Sequence, residues 1–273
     1  MGDKKLTEAT QNTTVLDILV VWMEEARIEA GGSPTNPNDT QGIETLIMAA
    51  VDHANTALTN SLSNTRIVKV HTAKLNGFSL SGDVETDLDN ITNLISLKLL
   101  RNLTGADIVT SIIESDFNTF QACGVSHVQT FPGCTSNGVQ GCGVGLSFNN
   151  YAYNLVTQYC AIWDDTFTHE LGHLMGANHA RDELLPSWVT AISNNGFPDA
   201  FAWRSGAFKT ILSVTQPTTS RRLYFSNPDV AVNNVPTDVL NSENNRRVID
   251  SLTPVMSTFR ERPDLIFVDG FEL

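Results

Sequence analysis

Nowhere does this sequence hold an apolar run of the roughly 18 residues that a membrane-crossing helix requires, so no membrane insertion is expected. Its longest apolar stretches, such as Val15–Met23, have strand length and are interrupted by polar residues. Basic residues are scarce: 17 Lys and Arg stand against 30 Asp and Glu, a formal net charge of −13. That excess argues against nucleic acid and against anionic membrane surfaces, both of which call for a clustered basic face. CxxC pairs are missing, which argues against a cysteine zinc site or a thioredoxin-like motif. An apolar leader is missing too: Met1–Gln11 is polar and charged, so no signal peptide is read there. The expectation is a chain whose leader or pro-segment has been removed, with Met1-Gly2 an added start.

Four cysteines are present, Cys123, Cys134, Cys142 and Cys160, all within one stretch just before a histidine cluster. An even, clustered count suits disulfides in an oxidising compartment. Cys134 and Cys142 flank a Gly/Ser/Asn loop that such a bond would close, leaving Cys123 to pair with Cys160. Four reduced core cysteines are the alternative.

Hydrophobic periodicity divides the first half into alternating strands and helices. Thr14–Trp22 is β-branched and apolar, the pattern of a buried strand. Ile43–Leu62 carries Ile43, Leu46, Ile47, Ala50, Val51, Ala54 and Leu58 at helical spacing. Thr65–Lys74 alternates as a strand does. Val84–Leu100 reads as one helix, with Ser81 and Asp83 as N-terminal capping residues. Ala106–Ile113 reads as a strand, Gly124–Val128 as a short edge strand, and Ser147–Val156 as a further strand. Asp164–Gly176 reads as a helix. A final helix is expected between Ser242 and Arg260, where Pro254 should kink or interrupt it. No internal repeat is visible. The reading is a disordered segment at 1–13, one catalytic domain at 14–262 and a tail at 263–273. The domain divides near His179 into an upper lobe, 14–179, and a lower lobe, 180–262.

The informative stretch runs from Thr168 to His179, THELGHLMGANH. Residues i and i+4 share a helix face, so His169 and His173 can offer imidazole nitrogens to one metal ion at about 2.0–2.1 Å. Glu170 lies close enough to reach a metal-activated water as general base. His179 lies too far along a straight helix to share that ion, so the chain must turn back. Gly176 is placed to allow the left-handed conformation that such a turn needs. Three neutral ligands leave a fourth position open, as a catalytic zinc site requires. The short HExxH pattern alone is weak; the extended HExxHxxGxxH is far more specific.

That extended pattern is the signature of metzincin zinc endopeptidases. The resemblance runs further, to secreted bacterial peptidyl-Asp metalloendopeptidases of reprolysin-like type. It is carried by LDILVVW and EEARIEAGG near the start, VHTA at 70–73, GADIVTSII at 105–113, CGVSHV at 123–128, TFTHELGHLMGANH at 166–179, and Phe225-Ser226-Asn227-Pro228.

The resemblance implies an α/β (α+β) fold: a twisted, mixed, mainly parallel sheet with long helices, the zinc helix at the cleft, and a smaller irregular C-terminal lobe ending in a helix. Substrate would lie along an edge strand, near Gly124–Val128 or Val144–Phe148. One catalytic zinc ion is implied. Protein or peptide substrates, a monomer, and secretion from a bacterium are implied as well. Two departures stand out. Relatives carry methionine in a turn beneath the metal, and the matching segment here, Thr210–Val214, has Leu212. Met256 is the less favoured alternative. Leucine fills a similar volume, a swap costing less than about 1.5 kcal/mol. Val214 stands where family members often have tyrosine. Relatives also follow the third histidine with aspartate, whereas here Ala180 and Arg181 precede Asp182, which is expected to tie the turn to the lower lobe.

Cleavage before aspartate would need a cation in the cleft, because a buried carboxylate must be paired; Arg204, Lys209, Arg221 and Arg222 are the candidates. His53, His71 and His127 are isolated and read as packed or surface residues, and Trp163 as core. Asp83, Glu85, Asp87 and Asp89 lack the glycine and closing glutamate of a calcium loop, so structural calcium is unsupported and capping explains them better. The chief alternative function is a catalytically weak or silent zinc module that binds protein partners in its cleft. A zinc hydrolase acting on something other than protein is a second.

Overall fold

The computed structural model describes residues 13–114, 122–130, 144–214, 220–239 and 242–262. The expected disorder at the N-terminus, the tail from 263 and a Cys134–Cys142 bond fall outside these residues, apart from residue 13.

Five strands form the main sheet: β1 (Thr14–Trp22), β2 (Thr65–Lys74), β3 (Ile108–Ile113), β4 (Gly124–Ser126) and β5 (Tyr153–Thr157). Their order is β2-β1-β3-β5-β4. All neighbours run parallel except β4, which pairs antiparallel to β5 and ends the sheet. Parallel strands are covered on both faces and therefore read as continuous apolar runs, which is why TVLDILVVW is buried from Leu16 onward. Successive residues of β1 serve opposite faces. Leu16, Ile18, Val20 and Trp22 join one apolar cluster, and Leu19 and Val21 join another.

The first cluster is closed by the short helix α1 (Glu24–Glu29), which contributes Ala26, by α2 (Gln41–Asn60) and by α6 (Thr166–Leu174). The second is closed by α3 (Val84–Asn93) and α4 (Ile95–Thr104). These two replace the single helix expected over Val84–Leu100. The break is at Leu94, whose backbone is extended (φ −67°, ψ 113°). Asp83 caps α3 by accepting from the Thr86 amide at 2.8 Å, and Asp87 accepts from the Ser81 amide at 2.7 Å.

Three further expectations are corrected. The segment expected as a strand from Ser147 begins as a 3-10 helix, Gly145–Tyr151, before β5. Val144–Phe148 is therefore no edge strand, and β4 holds that place. Trp163 lies 76% exposed, at the end of the short helix α5 (Cys160–Trp163), where its ring packs on Tyr159 at 5.6 Å. The last helix, α8 (Asn245–Met256), runs through Pro254; the amide missing there disrupts only its final turn. Between α6 and α8 lie the short helices Arg181–Glu183 and α7 (Pro186–Asn194), with small strand pairs. No helix among the described residues is long and apolar enough to cross a membrane. A Cys123–Cys160 disulfide ties the entry to β4 to the start of α5, with Cα atoms 5.5 Å apart.

Candidate active site

Every residue of α6 is buried. Its first ring, His169, turns Nδ1 to the Ile211 carbonyl at 2.9 Å, and His173 turns Nδ1 to the Ala177 carbonyl at 2.9 Å. Each Nδ1 therefore carries the proton that a carbonyl accepts, and each Nε2 is left with a lone pair. The helix ends where Gly176 takes φ +94°. A β-carbon there would lie 2.5 Å from Leu252 Cδ1. The chain then reverses into β6 (Asn178–Ala180), paired parallel with β7 (Phe201–Ala202), which carries His179 back to the helix.

The three Nε2 atoms converge: 3.1 Å from His169 to His173, 3.2 Å from His169 to His179 and 3.0 Å from His173 to His179. The His169 and His173 lone pairs cannot hydrogen-bond each other, and a cation held among the three nitrogens accounts for their close approach. Three nitrogens at about 2.0–2.1 Å from a tetrahedral ion stand about 3.3 Å apart, close to what is found. Among the described residues these histidines form the one group of three or more His, Cys, Asp or Glu side chains close enough together to hold a metal. Burial also keeps them neutral, lowering His173 to about 3 and His179 to about 4, and His169 well below its usual range.

Glu170 faces β4. Burial pushes its carboxyl up to about 7, against a hydrogen bond from Ser126 and the positive charge of Arg221. Gly124 leaves the room this carboxylate occupies: a β-carbon there would lie 2.8 Å from Glu170 Cγ, 2.8 Å from Glu170 Oε1 and 2.8 Å from Thr166 Cγ2. Gly124→Ala is therefore expected to lower kcat roughly 30-fold by displacing the carboxylate, with metal content unchanged. Steady-state kinetics beside a metal assay would check it.

Below the helix, Leu212 occupies the expected turn position. A β-carbon on Gly172 would lie 2.6 Å from its Cδ2, so the leucine packs directly under the histidine-bearing helix. Met256 sits in α8, its sulfur 3.1 Å from Gln129 Nε2. Asp182 is exposed and pairs with Arg204 of the lower lobe at 2.5 Å. Glu183 fastens the turn as well, from inside. Its Oε2 accepts from the Ala180 amide at 2.9 Å, and its Oε1 from Ser213 Oγ at 2.7 Å and the Val214 amide at 3.1 Å. One buried carboxylate thus joins the His179 turn to the loop that holds His169.

The cleft has a volume of about 360 Å³ and is lined by Gly124, Ser126, the three histidines, Glu170, Val214 and Arg221, among others. Of the four cations, Arg221 alone lines it. Lys209 is buried with Nζ near the Val214 carbonyl at 3.4 Å, and Arg222 is exposed. The Arg221 side chain is 7% exposed and pairs with Asp164 at 3.1 Å. Its Nη2 donates to the Ser213 carbonyl at 3.3 Å, while Nε is buried without a hydrogen-bond partner.

The other histidines stay outside the cluster. His53 meets Asp165 at 2.7 Å, and His71 is half-buried on β2. His127 is buried against Thr92 Oγ1 at 3.0 Å, and desolvation lowers it to about 4. Folded His127 thus binds fewer protons than the unfolded chain between its usual 6.5 and 4. Stability therefore falls on acidification through that window, by about 3 kcal/mol in full. His127→Gln is expected to flatten that slope, read from denaturant melts at pH 7 and pH 4.5.

Residues 45–180, from α2 through the third histidine, match the family model of the Metallo-peptidase family M12B, Reprolysin-like. That stretch resembles a reprolysin-like metallopeptidase. It is similar to the peptidyl-Asp metalloendopeptidase of Stenotrophomonas maltophilia strain R551-3, 27% identical over 264 residues, covering 93% of this chain and 55% of that protein. The corresponding protein of Xanthomonas campestris pv. campestris is 26% identical over 271 residues, covering 95% and 56%. The chain thus spans about half the length of these curated relatives. The fold also aligns with a solved chaperone-substrate complex at a TM-score of 0.66 and 11% identity, over 92% of this chain and 40% of that one, a likeness of fold alone.

Proposed function

We propose that this chain is a secreted bacterial zinc endopeptidase in which His169, His173 and His179 hold the ion and Glu170 is the general base. The observation that carries the reading is the meeting of three histidine Nε2 atoms beside a buried carboxylate, at the edge strand of a sheet. A bound zinc ion supplies a Lewis acid for the scissile carbonyl and for the water that attacks it. The protein's own residues do the rest. β4, the last strand of the sheet among the described residues, takes the substrate backbone as an added strand. Glu170 accepts the proton of the attacking water at its carboxylate and delivers it to the departing amine.

Preference for aspartate next to the cut belongs to this proposal. The relatives' name supports it, and Arg221 is the cation in position to meet such a side chain. Its free Nε and forked guanidinium suit a carboxylate.

Digestion of a mixed peptide library by zinc-loaded and chelator-stripped protein tests the reading. One zinc per chain, with cleavage that disappears on stripping and returns with zinc, is expected. Zinc at full occupancy without any cleavage would leave a silent binding module, and no zinc uptake would sink the metal site itself.

A further inference from the structure

β4 does more than end the sheet. Its residues alternate, so Val125 packs into the apolar cluster behind the sheet while Gly124 and Ser126 face α6. Ser126 is almost completely buried, at 2% exposure. Its Oγ lies 2.7 Å from Glu170 Oε2 and 2.9 Å from the Glu170 main-chain oxygen. A serine hydroxyl has one proton to give, and an ionised carboxylate oxygen is the stronger acceptor. No described residue donates to Oε1, whose neighbour is the bare α-carbon of Gly124.

Glutamate has several rotatable bonds, and an unrestrained carboxylate would sample many orientations at a cost in rate. Here one oxygen is held from the strand and the other is left for water. We infer that Ser126 is a positioning residue for Glu170, its hydroxyl fixing the carboxylate so that Oε1 stays turned to the reacting water. This rests on the reading of Glu170 as the base, and it makes β4 responsible both for receiving substrate and for aiming the group that acts on it.

The test compares Ser126→Ala with Ser126→Thr in the zinc-loaded protein, recording kcat, KM, zinc content and Tm. Loss of a hydrogen bond to a charged group predicts a drop in kcat of about 10- to 100-fold for alanine. KM is expected within twofold and zinc unchanged, and threonine, which keeps the hydroxyl, should restore most of the rate. If alanine leaves kcat within twofold, or if it acts by raising KM or releasing zinc, the positioning role is wrong. Should alanine lower Tm enough to obscure the comparison, Ser126→Cys takes its place, a near-isostere with only a weak S–H donor. Its kcat must then fall below that of threonine, or the inference fails. Failure of the base itself would show separately, as activity retained when Glu170 is replaced.

Discussion

Glu170→Gln is expected to retain one zinc per chain while kcat falls about 1,000-fold, the scale that a positioned proton carrier contributes. The substitution isolates proton transfer from shape. Glutamine has the same reach, its amide oxygen can still accept from Ser126 Oγ, and it fills the same space against Gly124. What it lacks is a place to put a proton. A fall in kcat with KM little changed would mark an interaction made only in the transition state. A variant within tenfold of the parent, with zinc bound, would remove Glu170 from the mechanism.

Arg221→Gln is expected to abolish the preference for aspartate. The ratio of kcat/KM for an aspartate peptide over its asparagine twin should fall about 100-fold or more. Unpairing one member of a buried charge pair costs about 2–5 kcal/mol, and each 1.4 kcal/mol is about tenfold. The guanidinium also braces Asp164 and the Ser213 carbonyl, so Tm and zinc content belong in the same experiment. Equal losses on both peptides would make Arg221 a brace and nothing more. The net charge of −13 works against acidic substrates at long range, where salt screens it. A buried cation acts at contact, where salt does not.

Much of this was legible in the chain, for physical reasons that differ from part to part. β1 and β2 were read with their observed limits because both are β-branched runs bounded by polar residues. The convergence of the three histidines follows from i, i+4 geometry and one glycine able to adopt positive φ. The break at Leu94 was hidden because the apolar spacing of Leu88, Ile91, Leu97 and Leu100 continues across it; periodicity records which side is buried, not whether the backbone is continuous. Trp163 was misjudged for the opposite reason. A large apolar residue is expected inside, but its place at the end of a four-residue helix leaves it facing out. Ser126 and Glu183 gave no local signal at all. Their partners lie 44 and 30 residues away, and one hydrogen bond between a strand and a helix leaves no periodic trace. Glu183 stands beside Asp182, the more conspicuous acid after the third histidine, and the longer side chain is the one the turn points inward.

The two apolar clusters separated by β1 set unequal terms for sequence drift. Val20 leans on the side that supports the histidine helix, while its neighbour Val21 leans on α3 and α4. A poorly fitted substitution at 20 reaches the histidine-bearing helix through packed side chains; one at 21 meets α3 and α4 first, and touches the cleft only through Val125 of β4. Libraries that randomise the Val21 side are therefore expected to yield folded, active variants more often than libraries of equal size on the Val20 side. Natural descendants of this domain would diverge fastest around α3 and α4, away from Val125, where stability is what the packing serves.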